Sequence, residues 1–152
     1  MKPRARDRYG AAVHEAGHVV VARVFGLKCR RMVAGIGDDD TKGKADIQRA
    51  AHLPVVDQIA VCAAGMVAQT MLDAPTHDIA GLGDEVLISN IVEAYEDETE
   101  REALRDAGFD KACETLERHR ATIERLAMAL AEQGELDEVA IERIIARHMD
   151  VA

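Results

Sequence analysis

Apolar residues recur at helical spacing along most of this chain, and only one short stretch reads as extended. The pattern predicts a first helix capped by Asp7 and running to about Phe25, with Gly26 as its C-cap. Lys28 to Ile36 is the best strand, lying between Gly26 and the turn-rich run Gly37-Asp38-Asp39-Asp40-Thr41-Lys42-Gly43. Pro54 suits the first turn of a second helix over 54–72, where Ala60, Ala63, Ala64, Gly65 and Ala68 let a neighbour approach closely. Asp73-Ala74-Pro75-Thr76-His77 breaks that helix, and Gly81-Leu82-Gly83 leads into a third beginning near Asp84. Phe109, Ala112, Cys113, Leu116, Ile123, Ala127 and Leu130 step by threes and fours, predicting one long helix from about Phe109 to Gln133. Gly134 ends it, Asp137 caps a last helix, and Val139, Ile141, Ile144 and Ile145 form the buried side of that helix. With no internal repeat and no low-complexity linker, the expectation is a single domain over 1–152, mainly α with a small β element.

Composition narrows this further. A chain of 152 residues buries a core without disulfides, and with 3% aromatics and no Trp that core is Leu, Ile, Val, Ala and Met. A net charge of -9 argues against non-specific binding to nucleic acid or an anionic membrane, which need a basic face. Cys29, Cys62 and Cys113 are odd in number, widely spaced and without a C-x-x-C pair, so they read as reduced thiols of a cytoplasmic protein. No run approaches 18 apolar residues, the segment Met1 to Asp7 lacks an apolar h-region, and Arg23 interrupts Val19 to Val24. The expected protein is soluble, unexported and not inserted in a membrane.

Two runs imitate ligand sites. The acidic stretch Asp38-Asp39-Asp40 lacks the alternating ligands and closing Glu of a calcium loop, and reads as a solvated loop. Gly37 through Lys44 imitates a phosphate loop, but its glycines are one residue too far apart. Ala45 also stands where a Ser or Thr must hold magnesium.

The chemistry lies in His14-Glu15-Ala16-Gly17-His18. Residues four apart on a helix sit one turn above each other, so His14 and His18 can place two imidazole nitrogens on one ion. Glu15 is about 100° around the helix from His14 and about 60° from His18, which sets it beside the metal as a general base. Gly17 has no side chain, so another element can press against the helix there. Val13, Val20, Val21 and Val24 surround the pentapeptide with the apolar pattern of a true helix. His52, His77, His119 and His148 read as ordinary surface histidines, although His77 is near enough in sequence to Asp84 to approach the site.

A catalytic zinc takes three protein ligands. The extended form H-E-x-x-H-x-x-G-x-x-H is excluded, because Val21 and Val24 occupy its Gly and second-His places. The third ligand therefore comes from elsewhere. Asp84 follows the loop Ala80-Gly81-Leu82-Gly83 and opens an apolar helix, which makes it the first candidate; Asp78 is the second.

The stretch His14 to Ala22 resembles the zinc helix of the peptidase domain in FtsH-type ATP-dependent metalloproteases. Ala63-Ala64-Gly65-Met66-Val67-Ala68-Gln69 resembles that family's Gly/Ala-rich helix, and Gly83-Asp84 resembles its Gly-Ala-Ser-x-Asp segment. Thr115 to Ile145 is similar to its C-terminal helical hairpin, above all in Leu126-Ala127-Met128-Ala129-Leu130 and Gly134-Glu135-Leu136-Asp137. The resemblance implies a zincin-like helical metallopeptidase domain in which His14, His18 and Asp84 hold zinc and Glu15 is the base. The departures are a short Gly37–Lys44 segment, Gln69-Thr70 where the family usually carries two Glu, and no ATPase module or membrane span ahead of the peptidase-like part.

The function expected is a cytoplasmic zinc endopeptidase acting on peptides or unfolded proteins, with Arg31 to Ile36 presenting a strand edge to an extended substrate. A separate ATPase partner and self-association are left open. The rivals are a non-enzymatic adaptor that keeps the fold, against which Glu15 argues, and a zinc hydrolase of another bond.

Overall fold

Helix α1 (Pro3–Val24) organises the molecule, and its sequence explains how. Every residue from Gly10 to Ala22 is buried, and all but His14, Glu15 and His18 are small or apolar, as a helix covered on all sides requires. It packs against a helix on one side and against another helix and two strands elsewhere: α2 (Val55–Met71), α5 (Arg120–Gln133), β1 (Cys29–Ile36) and β2 (Asp39–Ile47). The computed structural model describes residues 3–76 and 81–149. Asp7, expected as the cap of α1, lies inside the helix, which begins at Pro3 because proline needs no hydrogen-bond partner for a first-turn N–H. At the other end Gly26 adopts φ +86°, and the Leu27 amide donates to the Ala22 carbonyl at 2.9 Å, closing a left-handed cap.

The run Gly37 to Gly43, expected as a solvated loop, is largely strand. Gly37 turns the chain at φ +61°, and β2 returns antiparallel to β1 with Ala34 opposite Gly43 and Met32 opposite Ala45. A third strand, β3 (Glu135–Asp137), pairs with Arg31 to Val33 from the other side, giving the order β2-β1-β3. β1 is therefore central, and the substrate edge expected at Arg31 to Ile36 is taken by β2 on one side and, over Arg31 to Val33, by β3 on the other. The edge strand beside α1 is β2.

Beyond α2 come α3 (Leu82–Val92) and α4 (Glu98–Arg118), the latter packed along α2. The one long helix expected to end at Gln133 is two, α4 and α5, separated at His119 with φ -116° and ψ 27°. Ala112, Leu116, Ile123, Ala127 and Leu130 are buried as their spacing predicts, whereas Cys113 is exposed. Gly134 ends α5 at φ +79°, and the Asp137 carboxylate accepts the Ala140 amide at 2.8 Å to start α6 (Glu138–His148). Ile141 and Ile145 of α6 are buried, but Val139 is 65% exposed, because it lies in the first turn before the helix meets the core. The result is mainly α with a small antiparallel sheet. Among the described residues no helix is long and apolar enough to cross a membrane.

Candidate metal centre

The site forms where α1, α2 and the start of α3 meet. The close approach of α1 and α2 depends on missing side chains: a Cβ on Gly17 would stand 2.5 Å from the Ala64 carbonyl oxygen and 2.6 Å from the Ala68 methyl. Gly65, next to Ala64 on α2, leaves the space the histidines use. A Cβ there would fall 2.6 Å from His14 Cε1 and Nε2 and from His18 Nε2. Only a residue without a side chain accommodates both rings.

Both imidazoles are held from behind. The Gln69 amide donates to the carbonyls of Gly10 (3.2 Å) and Pro75 (3.0 Å), which fixes its nitrogen end and turns its oxygen toward His14 Nδ1 at 2.8 Å. His14 Nδ1 must then be the donor. His18 Nδ1 likewise donates to the Val61 carbonyl at 2.7 Å. With the protons on Nδ1, both Nε2 atoms face inward with lone pairs, the tautomer that metal-bound histidines take.

Asp84, in the first turn of α3, completes the group. Its Oδ2 lies 2.9 Å from His14 Nε2 and 3.1 Å from His18 Nε2, and the two Nε2 atoms are 3.1 Å apart. Three such atoms this close repel one another unless a proton or a metal ion lies among them. The corners of a tetrahedron with bonds of about 2.0–2.1 Å are about 3.3 Å apart, so the triangle needs to open only slightly to take a divalent ion. His14, His18 and Asp84 thus form a group that can hold a metal ion. Asp78 and His77, the other sequence candidates near this segment, lie outside the described residues.

The charges respond to this packing. Without an ion, a proton on Nε2 lets each imidazole donate to Asp84; burial works to raise the Asp84 carboxyl, but these hydrogen bonds from His14 and His18 outweigh it and hold the group at about 2. Burial disfavours charge on His18, yet its hydrogen bond to Asp84 and the nearby carboxylates raise its value overall. Glu15 moves upward, chiefly through burial, with Asp84 adding to the rise and the two histidines opposing it.

Glu15 sits beside the ligands on α1 and is 9% exposed. Its wall is β2: a Cβ on Gly43 would stand 2.8 Å from Glu15 Cγ. None of the described residues donates a hydrogen bond to this carboxylate, so its lone pairs are available to a water. An open cleft of about 370 Å³ leads to it, with Gly43, Lys44, Ala45 and Ile47 on one side and Val61, Cys62, Asp84 and Leu87 among the residues opposite. Burial first, and Asp84 second, push the Cys62 thiol up to about 11, so it lines the cleft as a neutral group.

The four residues expected from sequence are therefore together. Gly65 and Gly43 were not singled out for the site, and Gln69 entered only as a departure from the family resemblance, though a lone amide in an Ala-rich helix is a visible signal. Gln69 supplies the support behind His14 at a position where two Glu were the expected pattern; Thr70 turns away, its hydroxyl donating to the Met66 carbonyl at 3.1 Å. His52 and His148 are exposed and outside the group. No protein-family model and no curated protein matches the chain.

Proposed function

We propose that the chain is a zinc-dependent endopeptidase, cytoplasmic in setting, resembling the peptidase part of FtsH-type metalloproteases. The observation that carries this reading is the convergence of His14 Nε2, His18 Nε2 and Asp84 Oδ2 beside a carboxylate that accepts no hydrogen bond from the described residues. Two imidazoles and one carboxylate, with an open approach, are a zinc hydrolase's donor set. Zinc bound there lowers the pKa of a water toward neutrality and polarises a carbonyl.

The rest falls to the chain's own residues. Glu15 accepts the proton of the attacking water and passes it to the departing amine, and its upward shift by burial brings it closer to the working pH of such a base. Gln69 and the Val61 carbonyl hold the two imidazoles in the tautomer that leaves Nε2 unprotonated. Edge strand β2 offers backbone groups to an extended peptide lying in the cleft, in place of the central strand first expected. Peptide is favoured over other substrates because that edge runs directly past Glu15. A flexible or unfolded polypeptide meets this requirement, and a separate ATPase that delivers one is a compatible partner.

The test is digestion of a mixed peptide library by the zinc-loaded chain. Internal cuts that disappear with a chelator and return with zinc support the reading; an uncut library at every zinc concentration contradicts it.

A further inference from the structure

Next to the metal cleft is a second hollow of about 550 Å³, lined by Arg30, Asp46, Ile47, Gln48, Arg49 and His52. Ile47, the last residue of β2, lines both spaces, so the edge strand leads from one into the other. The chemistry of this hollow runs against the composition. A chain with 28 acidic and 19 basic residues places two guanidiniums and an imidazole around one space, with Asp46 the only acid. Arg30, Arg49 and His52 are exposed, and among the described residues none of them has a hydrogen-bond or ion-pair partner. Asp46 makes no ion pair with either arginine. Neighbouring Arg31, by contrast, is taken up by Glu135 at 2.5 Å. Gln48 is also engaged, its side-chain oxygen accepting the Lys28 amide at 2.9 Å.

We propose that this hollow is an anion subsite that takes a carboxylate of the bound polypeptide, from an Asp or Glu side chain or from the chain terminus. The inference rests on the peptidase reading and deepens it by naming a substrate preference. Guanidiniums recognise carboxylates through paired N–H donors, and two that are not already neutralised are ready to do so. The spacing is set by the strand. From Gly43, against Glu15, to the Ile47–Gln48 end is about 13–17 Å of extended chain. A peptide laid along β2 therefore carries its anchoring carboxylate about four residues from the bond that is cut.

The test measures binding apart from hydrolysis. Fluorescence anisotropy on the zinc-loaded Glu15→Gln protein would compare labelled decapeptides that differ only in one Glu, moved stepwise along the sequence, against the Gln peptide. A second pair would differ only in a free or amidated C-terminus. The Arg30→Gln/Arg49→Gln change would then be added to the same protein. The expected result is binding about 3- to 10-fold tighter with the carboxylate at one position or at the terminus, which also separates the two sources. The double change should erase that gain while binding of the Gln peptide stays the same, which shows that the protein is still folded. Equal affinity for every peptide, or a gain that survives the double change, overturns the subsite. Wild-type protein that cuts none of these peptides refutes the peptidase reading, and the anisotropy result still decides the subsite.

Discussion

The Gln69 side-chain oxygen lies 2.8 Å from His14 Nδ1, and the same amide is anchored at its other end on the Gly10 and Pro75 carbonyls. One residue of α2 thus fixes both the tautomer and the angle of a ligand on α1. Groups behind a metal ligand typically account for 10–100-fold in metal affinity. Gln69→Leu should weaken zinc binding by about that factor, measured by competition with a chromophoric chelator. Gln69→Glu keeps an acceptor for His14 and should lose less.

Gly65 yields a sharper expectation. Gly→Ala within a helix ordinarily stabilises it by about 1 kcal/mol. Here the added methyl would stand 2.6 Å from both imidazoles. Gly65→Ala should weaken zinc binding at least about tenfold while the far-ultraviolet dichroism stays helical. Unchanged affinity would show that the rings do not need this space.

Asp84 and Glu85 are adjacent acids in the first turn of α3, but only Asp84 reaches the histidines; Glu85 pairs with Arg105 at 3.5 Å. Asp84→Ala should lower zinc affinity by more than about 100-fold, since a ligand is lost outright. Glu85→Ala should leave it unchanged. The same zinc titration on both variants checks the assignment, and an equal effect would refute it.

Much of this was legible in the sequence, and the misses have physical causes. Helix signals survived because they are local: Gly26, Gly134 and Asp137 cap where expected, and the i, i+4 histidines needed only helical geometry. Strand β2 was hidden because Asp, Lys and Gly disfavour strands. Its exposed Lys42, Lys44 and Asp46 nevertheless alternate with the more covered Thr41, Gly43, Ala45 and Ile47, a period of two that is weak without its partner strand. The first half of α4 carries few apolar residues, and Gly108 reads as a break. In the fold Gly108 is a contact point, since a Cβ there would fall 2.3 Å from Ile59 Cγ2. The division at His119 has no Gly or Pro to announce it. Asp84 was reachable from its loop-to-helix position, but its distance to the histidines belongs to tertiary structure alone.

On the proposed peptidase function, the cleft also predicts which proteins would be cut. A peptide must be extended to lie along β2 and reach Glu15, and a folded protein offers such a segment only through local opening. One target in a stable form and in a destabilised mutant with the same cleavage sequence should be cut at clearly different rates, the mutant faster. Purified protein should show no response to ATP. Equal rates, or a rate that rises with ATP, would count against direct capture of extended chain.

The most direct measurement sets the zinc-loaded wild type beside zinc-loaded Glu15→Gln on one cleavable peptide. The substitution keeps the shape of the side chain beside Gly43 and removes its ability to accept a proton. A positioned general base contributes about 10²–10⁴-fold, so kcat should fall by that range while zinc content and thermal stability remain those of the wild type. Equal activity in the two proteins would contradict the role of Glu15 and with it the proposed chemistry of the site.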